Sequence, residues 1–404
     1  SFLRKDHPLL AHRLRQAVKK GAQITSLHST DDDWLMHVAH RAIVPPSLVP
    51  MMLAEIVVAA AQGTGKLTPA ALSGIEPTAG AEVIAASLLS GERRAILLGN
   101  YAVQHPDASQ IAALAEALAA LTGATVGVLT EAANTVGGYV AGALPVSGGL
   151  DAHRMQGVDG GEACRAWLLL HAEPEFDCAH PVGARHALQK ADFVAVLSPF
   201  RHGLAYADVV LPIAPFTETS GTFINCEGRV QWFRGAAAPF GAARPGWKVL
   251  RVLGSLLGLD GFDAIDTSAS VCDAVLRGVA TDGFVDGLSN ASRVEIVRPA
   301  TVPAAVERVA EVPIHFADPL ARRAPSLQQT ADARAPRARV HPTLLAGLGI
   351  EEGAQIKLRQ GGGEAVLATQ ADPGVPPGVV RVAAAHPSTC GLDGLSGPVA
   401  VERA

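Results

Sequence analysis

A repeated alternation of short apolar runs and longer amphipathic runs constrains the fold of this chain more than any other feature. RRAILLGN (93–100) and TVGVLT (125–130) have the length and composition of buried strands, and DASQIAALAEALAALTGA (107–124) between them is typical of a helix. A helix of this length supplies the crossover that two parallel strands need. The segment therefore predicts a β-α-β unit.

The same pattern recurs further along the chain. RAWLLLHAEP (165–174) and DFVAVLSPF (192–200) are predicted strands on either side of a predicted helix, HPVGARHALQKA (180–191). ADVVLPIA (207–214) predicts a further strand. Nearly continuous apolar strands are typical of parallel sheets that are covered on both faces, so we predict an α/β body with doubly wound parallel sheets.

The composition changes near residue 298. Residues 298–339 are rich in Pro, Ala and Arg and carry few large apolar side chains, which predicts a linker. The runs AQIKLRQ and EAVLATQ then alternate apolar and polar residues around a glycine turn, as half-buried strands do. The predicted domains are an N-terminally truncated α/β body over 1–297 with two subdomains, this linker, and a small barrel-like β domain over 340–404.

Charge and hydropathy exclude some classes of partner. The formal net charge is −5 with 18% charged residues, so no strongly basic surface indicates nucleic acid. The apolar stretch 47–63 contains Pro50 and Glu55 and falls short of the roughly 18 uninterrupted apolar residues of a spanning helix, so we expect no direct membrane insertion. The chain begins without Met or a signal-like region, and we interpret it as part of a longer protein.

The cysteine spacing argues against a local metal centre. Of the five cysteines, the closest two, Cys164 and Cys178, are fourteen residues apart. Short loops are what bring several thiolates around one metal, so no iron–sulfur or zinc site of the C-x-x-C kind is expected. An odd number of scattered cysteines in a chain of 404 residues fits a reducing cytoplasm.

Two nucleotide-binding signatures are incomplete. QGTGKL (62–67) resembles a phosphate loop, but residue 60 is Ala where the first Gly is needed, and Leu67 follows Lys66 where Ser or Thr is needed. No G-x-G-x-x-G run follows either strand–helix junction, so direct NAD binding is not expected.

Three further features have a structural and a functional interpretation. His171, Cys178 and His180 could face a metal, but a fourth ligand cannot be named and structural roles are favoured. DDDW (31–34) is expected to cap a helix through WLMHVAHRAIV. The glycines of TVGGYVAGALP permit either tight turns or close approach to a ligand, and turns are favoured.

The stretch GTFINCEGRVQWF (221–233) predicts a β-hairpin. TFIN and RVQWF are rich in β-forming residues, and Cys226, Glu227 and Gly228 form the predicted three-residue turn, with Gly228 at positive φ. Glu227 and Arg229 are close enough in sequence to pair across this turn. The physics of the residues alone leads no further than a hairpin.

The stretch 207–231, ARPGW (243–247) and HPTLLAGLGIEEG (341–353) together resemble the molybdopterin oxidoreductase family. In that family a Glu followed by Gly-Thr, and then an Asn-x-Glu-Gly-Arg run, marks a loop beside the pterin. The matching positions are Glu218, Gly221, Thr222, Asn225, Glu227, Gly228 and Arg229. The resemblance implies a vestigial pterin loop at these residues, with no catalytic residue, no metal ligand and no cofactor expected in this part of the protein.

Within the family, NTVGGYVAGALP (134–145), DPLARRAPSLQQT (318–330) and the N-terminal run resemble the large iron–sulfur subunit of bacterial NADH:quinone oxidoreductase, respiratory complex I. The resemblance implies a parent chain with 2Fe–2S and 4Fe–4S clusters in a preceding N-terminal region. It also implies other hydrophilic-arm subunits as partners, and a peripheral place on the cytoplasmic side of the bacterial inner membrane. An active molybdopterin enzyme of the formate dehydrogenase or nitrate reductase type is the alternative, and a soluble nucleotide-binding module is a third possibility.

Overall fold

The computed structural model describes residues 2–145, 148–158, 160–277, 288–300 and 306–404. The helices are α1 (Leu3–Asp6), α2 (Pro8–Lys19), α3 (Val49–Thr64), α4 (Ala79–Ser90), α5 (Asn100–Val103), α6 (Ala108–Thr122), α7 (Thr135–Val140), α8 (Ala152–Met155), α9 (Pro174–Asp177), α10 (Pro181–Lys190), α11 (Gly246–Leu256), α12 (Ser268–Leu276), α13 (Pro319–Arg322), α14 (Pro325–Gln328) and α15 (Pro342–Leu348). The strands are β1 (Thr25–His28), β2 (His40–Ile43), β3 (Ala95–Leu98), β4 (Thr125–Val128), β5 (Ala166–Leu170), β6 (Phe193–Ser198), β7 (Val209–Pro212), β8 (Gly221–Ile224), β9 (Val230–Phe233), β10 (Glu307–Val309), β11 (Ala338–Val340), β12 (Gln355–Gln360), β13 (Gly363–Ala371), β14 (Val379–Arg381), β15 (Ser396–Pro398) and β16 (Ala400–Arg403).

The chain forms two compact units. The first unit combines Ser1–Glu131 with Asn290–Ala404, and the second unit is Ala132–Ser289. The domain boundaries drawn from composition at 297 and 340 remain a prediction. Two strands of the first unit, β10 and β11, begin inside the segment 298–339.

The first predicted β-α-β unit is confirmed in the first unit. Strands β3 and β4 pair in parallel, from Ala95 opposite Thr125 to Leu98 opposite Val128, and α6 is the crossover between them. Helix α6 is followed by Gly123, whose φ of +72° is the left-handed conformation common after a helix C-terminus. Strands β1 and β2 form a second parallel pair.

Helix α3 provides much of the core of the first unit. Its buried residues pack with those of α4 and α6 in one apolar cluster. Among the described residues, one helical segment, Pro46–Thr64, is long and apolar enough to cross a membrane, although the sequence pattern suggested that it was too short. Most of this segment is buried, which is typical of the core helix of a globular domain.

The end of α3 accounts for the glycines of QGTGKL. Gly65 has a φ of +65° and follows the helix C-terminus. The Lys66 ammonium donates hydrogen bonds to the carbonyls of Ala120 and Leu121 at 3.1 and 2.8 Å, and therefore binds the last turn of α6. This arrangement agrees with a structural role for the motif.

The helix predicted after DDDW is wrong. Trp34 and the residues after it form bends and extended chain up to β2. Asp32 instead accepts a hydrogen bond from Arg381 at 2.8 Å, and Arg381 also pairs with Glu311. The acidic run serves long-range ion pairs in the first unit rather than a helix N-terminus.

A seven-stranded mixed sheet, in the order β15-β10-β14-β11-β13-β12-β16, forms the C-terminal part of the first unit. Its two edge strands, β15 and β16, are joined by Val399 alone. Because one residue connects opposite edges, the sheet must curl until it is nearly closed. The predicted barrel-like β structure is confirmed, and the alternation in β12 places Ile356 and Leu358 in its core.

The second unit contains a three-stranded parallel sheet, in the order β5-β6-β7. Helix α10 connects β5 to β6, so the second predicted β-α-β unit is also confirmed. The hairpin of β8 and β9 and the helices α11 and α12 follow in the same unit. The predicted α/β fold with parallel sheets is therefore observed in both units.

Candidate functional site

The hairpin that carries the family-like residues has the predicted local geometry. Strands β8 and β9 are antiparallel, with Ile224 opposite Val230. The turn closes through a bond from the Asn225 N–H to the Arg229 carbonyl at 3.2 Å. Gly228 adopts a φ of +75°, a conformation that costs a residue with a side chain roughly 1–2 kcal/mol. The three-residue turn at Cys226–Gly228 is confirmed.

The Asn225 side chain is part of the turn itself. Its Oδ1 accepts hydrogen bonds from the backbone N–H groups of Glu227 and Arg229, at 3.1 and 2.9 Å. An asparagine that binds backbone two residues ahead is a common way to fix a tight turn. The Glu227 and Arg229 side chains are exposed, and among the described residues no ion pair joins them.

A second contact holds the hairpin from the side of β8. Asn134 Oδ1 accepts a hydrogen bond from the Ile224 N–H at 2.8 Å, and α7, which begins at the next residue, packs against β8. A Cβ on Gly137 would collide with the Asn134 carboxamide. Gly137 therefore serves close packing inside helix α7, whereas the sequence pattern favours a tight turn at this position.

A cavity of about 670 Å³ lies at the base of the hairpin in the second unit. Its walls come from both strands of the hairpin and from α11 and α12. Glu218, Gly221 and Thr222 line it, whereas Asn225, Glu227, Gly228 and Arg229 lie at the turn and do not. The structure thus divides the seven predicted positions into a group at the cavity and a group at the turn.

Aromatic and cationic side chains dominate one wall of this cavity. Arg234 lies over the ring of Trp232 with Cζ 5.5 Å from the centroid, and Lys248 Nζ lies 5.4 Å from the Trp247 centroid. Both pairs line the cavity, and such cation–π contacts hold a flexible cation at an aromatic face. The volume is within the range of small-molecule sites, and the wall suits a planar or anionic group.

Glu218 is the acidic predicted residue at the cavity. Its Oε2 accepts a hydrogen bond from the Phe240 N–H at 3.1 Å. This bond joins the start of the hairpin to the loop before α11. Cys272 and Asp273 of α12 line the same cavity, and sequence reasoning did not select them because they are about forty positions from the hairpin.

Sequence reasoning also missed a polar cluster beyond the carboxyl ends of β5 and β6. The His202 ring nitrogens lie 2.9 Å from Glu175 and 3.7 Å from Glu173, and Tyr206 donates a hydrogen bond to Glu175 at 3.2 Å. Burial alone would raise the pKa of the Glu175 carboxyl, but the bonds from His202 and Tyr206 bring this pKa below its ordinary value. This polar cluster could have been predicted from the sequence, because ligand sites in parallel sheets gather at the carboxyl ends of the strands.

The metal interpretation of His171, Cys178 and His180 gains no support. His180 packs edge-to-face against His153 with ring centroids 4.8 Å apart, and burial raises the pKa of the Cys178 thiol, which disfavours the thiolate that a metal needs. In the described part of the chain no group of three or more His, Cys, Asp or Glu residues could hold a metal ion.

The family profile of molybdopterin oxidoreductases matches residues 3–256. The chain belongs to the molybdopterin oxidoreductase family. The solved structure of acetylene hydratase from Pelobacter acetylenicus is similar over 97% of this chain and 75% of that one, with a TM-score of 0.65. At 12% sequence identity, this likeness shows that the fold is shared and nothing more.

Two curated relatives match short segments. The 78 kDa subunit of mitochondrial NADH–ubiquinone oxidoreductase from Candida albicans is 51% identical over 55 residues, which is 14% of this chain. A putative formate dehydrogenase from Staphylococcus aureus (strain USA300) is 43% identical over 75 residues, which is 18% of this chain. Each match covers 8% of the relative's own length.

The residues at the hairpin fit a pterin of the molybdopterin oxidoreductase kind only in part. The cavity has the volume for a ligand, and Glu218, Gly221 and Thr222 face it. The Asn225 carboxamide oxygen, however, is occupied by two backbone N–H groups of its own turn. The seven positions therefore do not form one cradle around a common ligand.

Proposed function

We propose that this chain is a catalytically silent scaffold part of the large iron–sulfur subunit of a proton-pumping NADH:quinone oxidoreductase. The observation that carries the proposal is the 51% identity over 55 residues with the 78 kDa subunit of a mitochondrial NADH–ubiquinone oxidoreductase. The parent chain would relay electrons from NADH through iron–sulfur clusters towards quinone.

The geometry of the hairpin supports the silent role. Asn225 fixes the turn, Glu218 is bound to the Phe240 N–H, and Asn134 is bound to the Ile224 N–H. Glu218 and Asn225, two of the residues that mark a pterin loop elsewhere in the family, here bind the loop before α11 and the hairpin turn. In this proposal the loop is retained as architecture.

The cofactors, partners and location follow from the same proposal. The 2Fe–2S and 4Fe–4S clusters would lie in an N-terminal region of the parent, and the part described by this sequence would bind none. Other hydrophilic-arm subunits would be its partners, in a peripheral complex on the cytoplasmic side of the bacterial inner membrane. Its physical task would be to keep the cluster-bearing region rigid and dry, because solvation and nearby charge set cluster potentials.

Native gel electrophoresis of solubilised membranes, with an in-gel stain for NADH oxidation, tests the assignment. Mass spectrometry of the stained band should identify peptides of this chain in an amount equal to the other subunits. A strain without the gene should lack the large NADH-oxidising band. Peptides that migrate only in a separate, NADH-inactive band would contradict the proposal.

The alternative is an active molybdopterin enzyme, and the 43% identity over 75 residues with a putative formate dehydrogenase favours it. In that case the cofactor would carry out the redox step while the protein bound and oriented it. Formate-dependent dye reduction in the purified parent protein distinguishes the two. Formate-oxidising activity that follows the protein through purification would support the alternative. If the protein has no such activity while the complex still oxidises NADH, the scaffold role is supported.

A further inference from the structure

A small concavity in the first unit is lined by several arginine side chains. It encloses about 120 Å³ between the loop after β10, the segment before β11 and the end of β14. Its charged lining residues are Glu311, Asp332, Arg334, Arg337, Arg339 and Arg381. Guanidinium groups therefore outnumber carboxylates on its walls.

The floor of this arginine pocket is a rigid ion pair. Arg381 is only 4% exposed, and its Nη1 lies 2.8 Å from Asp32 Oδ1 while its Nη2 pairs with Glu311. Two carboxylates thus hold the Arg381 guanidinium in place. Because Glu311 and Asp32 share one guanidinium, these three groups together carry one net negative charge.

The other acidic group at the pocket, Asp332, has a cation of its own. Asp332 Oδ1 lies 2.6 Å from Lys5 Nζ, so a cation from α1 neutralises it. Arg339 in turn has its own partner, because its Nε lies 2.9 Å from Asp372 Oδ2. Three of the four acids are thus matched by Arg381, Lys5 and Arg339, and the fourth offsets one charge of the two remaining arginines.

Arg334 and Arg337 give the pocket its net positive charge, which is one unit once the net negative charge of the group formed by Asp32, Arg381 and Glu311 is counted. Both are exposed, and among the residues the structure describes neither is paired with a carboxylate. They lie three positions apart with Pro336 between them, and Pro313 also lines the pocket. Proline fixes φ, so the backbone that presents these two guanidinium groups has little freedom.

We propose that this arginine pocket binds a phosphate group. Guanidinium forks match phosphate oxygens, and a phosphate has enough oxygens and charge to engage two or more of them together, whereas a carboxylate offers two oxygens and one charge. The volume is well below the roughly 300–1,000 Å³ of sites for whole small molecules, so the pocket takes a single oxyanion group. The group could belong to free phosphate or to a nucleoside monophosphate.

Isothermal titration calorimetry on the full chain, at fixed ionic strength in chloride, tests the site. Inorganic phosphate should bind saturably at one site, and acetate should not. The variant R334A/R337A should bind phosphate at least about tenfold more weakly, because it removes both guanidinium groups that have no carboxylate partner. R334K/R337K, which keeps the charge but loses the fork, should recover part of the affinity.

Arg13 and Arg15, two exposed arginines of α2, provide the matched control. R13A/R15A removes the same charge and should leave phosphate binding unchanged. A parallel titration with AMP identifies the source: tighter binding than inorganic phosphate indicates a nucleotide, and equal or weaker binding indicates the free anion. Absence of phosphate binding, equal binding of acetate, or equal loss in R13A/R15A would overturn the proposal.

Discussion

Asn134 Oδ1 accepts a hydrogen bond from the Ile224 N–H at 2.8 Å, across 90 residues of sequence. Ile224 is the last residue of β8 and is 3% exposed, so water does not readily replace this acceptor. Asn134→Ala should therefore lower the free energy of unfolding by about 1–3 kcal/mol. Urea denaturation followed by tryptophan fluorescence measures the change. Asn134→Asp keeps an acceptor and should lower the free energy of unfolding less. An equal loss of stability in both variants would contradict a role for this bond.

Gly137 and Asn134 should be energetically coupled. A Cβ at Gly137 would meet the Asn134 carboxamide, so Gly137→Ala should destabilise the otherwise unchanged chain. In the Asn134→Ala background the obstruction is gone, and the same change should stabilise the helix by up to about 1 kcal/mol through helix propensity. A double-mutant cycle measures the coupling. Additive effects would show that the two residues do not share this space.

The hairpin turn should depend on Gly228 and not on Cys226. Gly228 has a φ of +75°, so Gly228→Ala should cost about 1–2 kcal/mol of stability. Cys226 is exposed in the same turn, and Cys226→Ala should change stability by less than about 0.5 kcal/mol. Thermal unfolding of the two variants gives the comparison. A larger loss from the cysteine variant would reverse the relative importance assigned to these residues.

The pair of Asp32 and Arg381 should make the first unit sensitive to acid. Burial alone would raise the pKa of Asp32, but the Arg381 guanidinium holds it below the ordinary value of 3.8. A lowered folded-state pKa contributes stability that is present above pH 3.8 and is lost as the pH falls through the folded-state pKa. The unfolding free energy should therefore decline in this acid window.

Asp32→Asn tests the origin of this decline. It should lower the free energy of unfolding by about 2–3 kcal/mol at neutral pH. This is less than the roughly 3–5 kcal/mol lost when a buried ion keeps no partner, because Glu311 still pairs with Arg381. It should also flatten the pH dependence of unfolding below pH 3.8. Asp33→Asn, a change in the adjacent exposed acid, is the control. An unchanged acid slope in Asp32→Asn would assign the decline to other carboxyl groups.

Local patterns predicted most of the fold because the physics that forms each element is local. The apolar run at Ala95–Leu98, the amphipathic run at Ala108–Thr122 and the Asn-Cys-Glu-Gly-Arg turn all form from their own residues. Side chains that pair over long distances were not predictable. Asp32 was assigned to a helix cap because its partner, Arg381, is 349 residues away.

The strand Glu307–Val309 shows the same limit in the predicted linker. Its composition is polar, yet Glu307 and Arg308 are 2% and 1% exposed. Glu307 accepts a hydrogen bond from the Ser47 N–H at 2.9 Å, and Arg308 donates one to Gln360 at 3.0 Å. Partners from distant segments offset the cost of burying these charges. The sequence of the strand alone does not indicate that such partners exist.

The candidate site was predictable in its hairpin and not in its cavity. The run around Asn225 is contiguous, so its turn could be inferred from the sequence. The cavity needs Thr222 of β8, Trp247 of α11 and Cys272 of α12 to lie together, and only the tertiary structure brings them there. For the same reason the division of the seven positions between cavity and turn was not foreseen.

The most direct test of the scaffold role is the cofactor content of the parent protein, purified from its own organism. Fluorescence of oxidised pterin and elemental analysis for molybdenum and tungsten are measured per polypeptide, with iron as the positive control. For a catalytically silent scaffold we expect stoichiometric iron from the clusters of the parent chain, with pterin, molybdenum and tungsten at background. A stoichiometric pterin signal together with molybdenum or tungsten would contradict it and would favour an active molybdopterin enzyme.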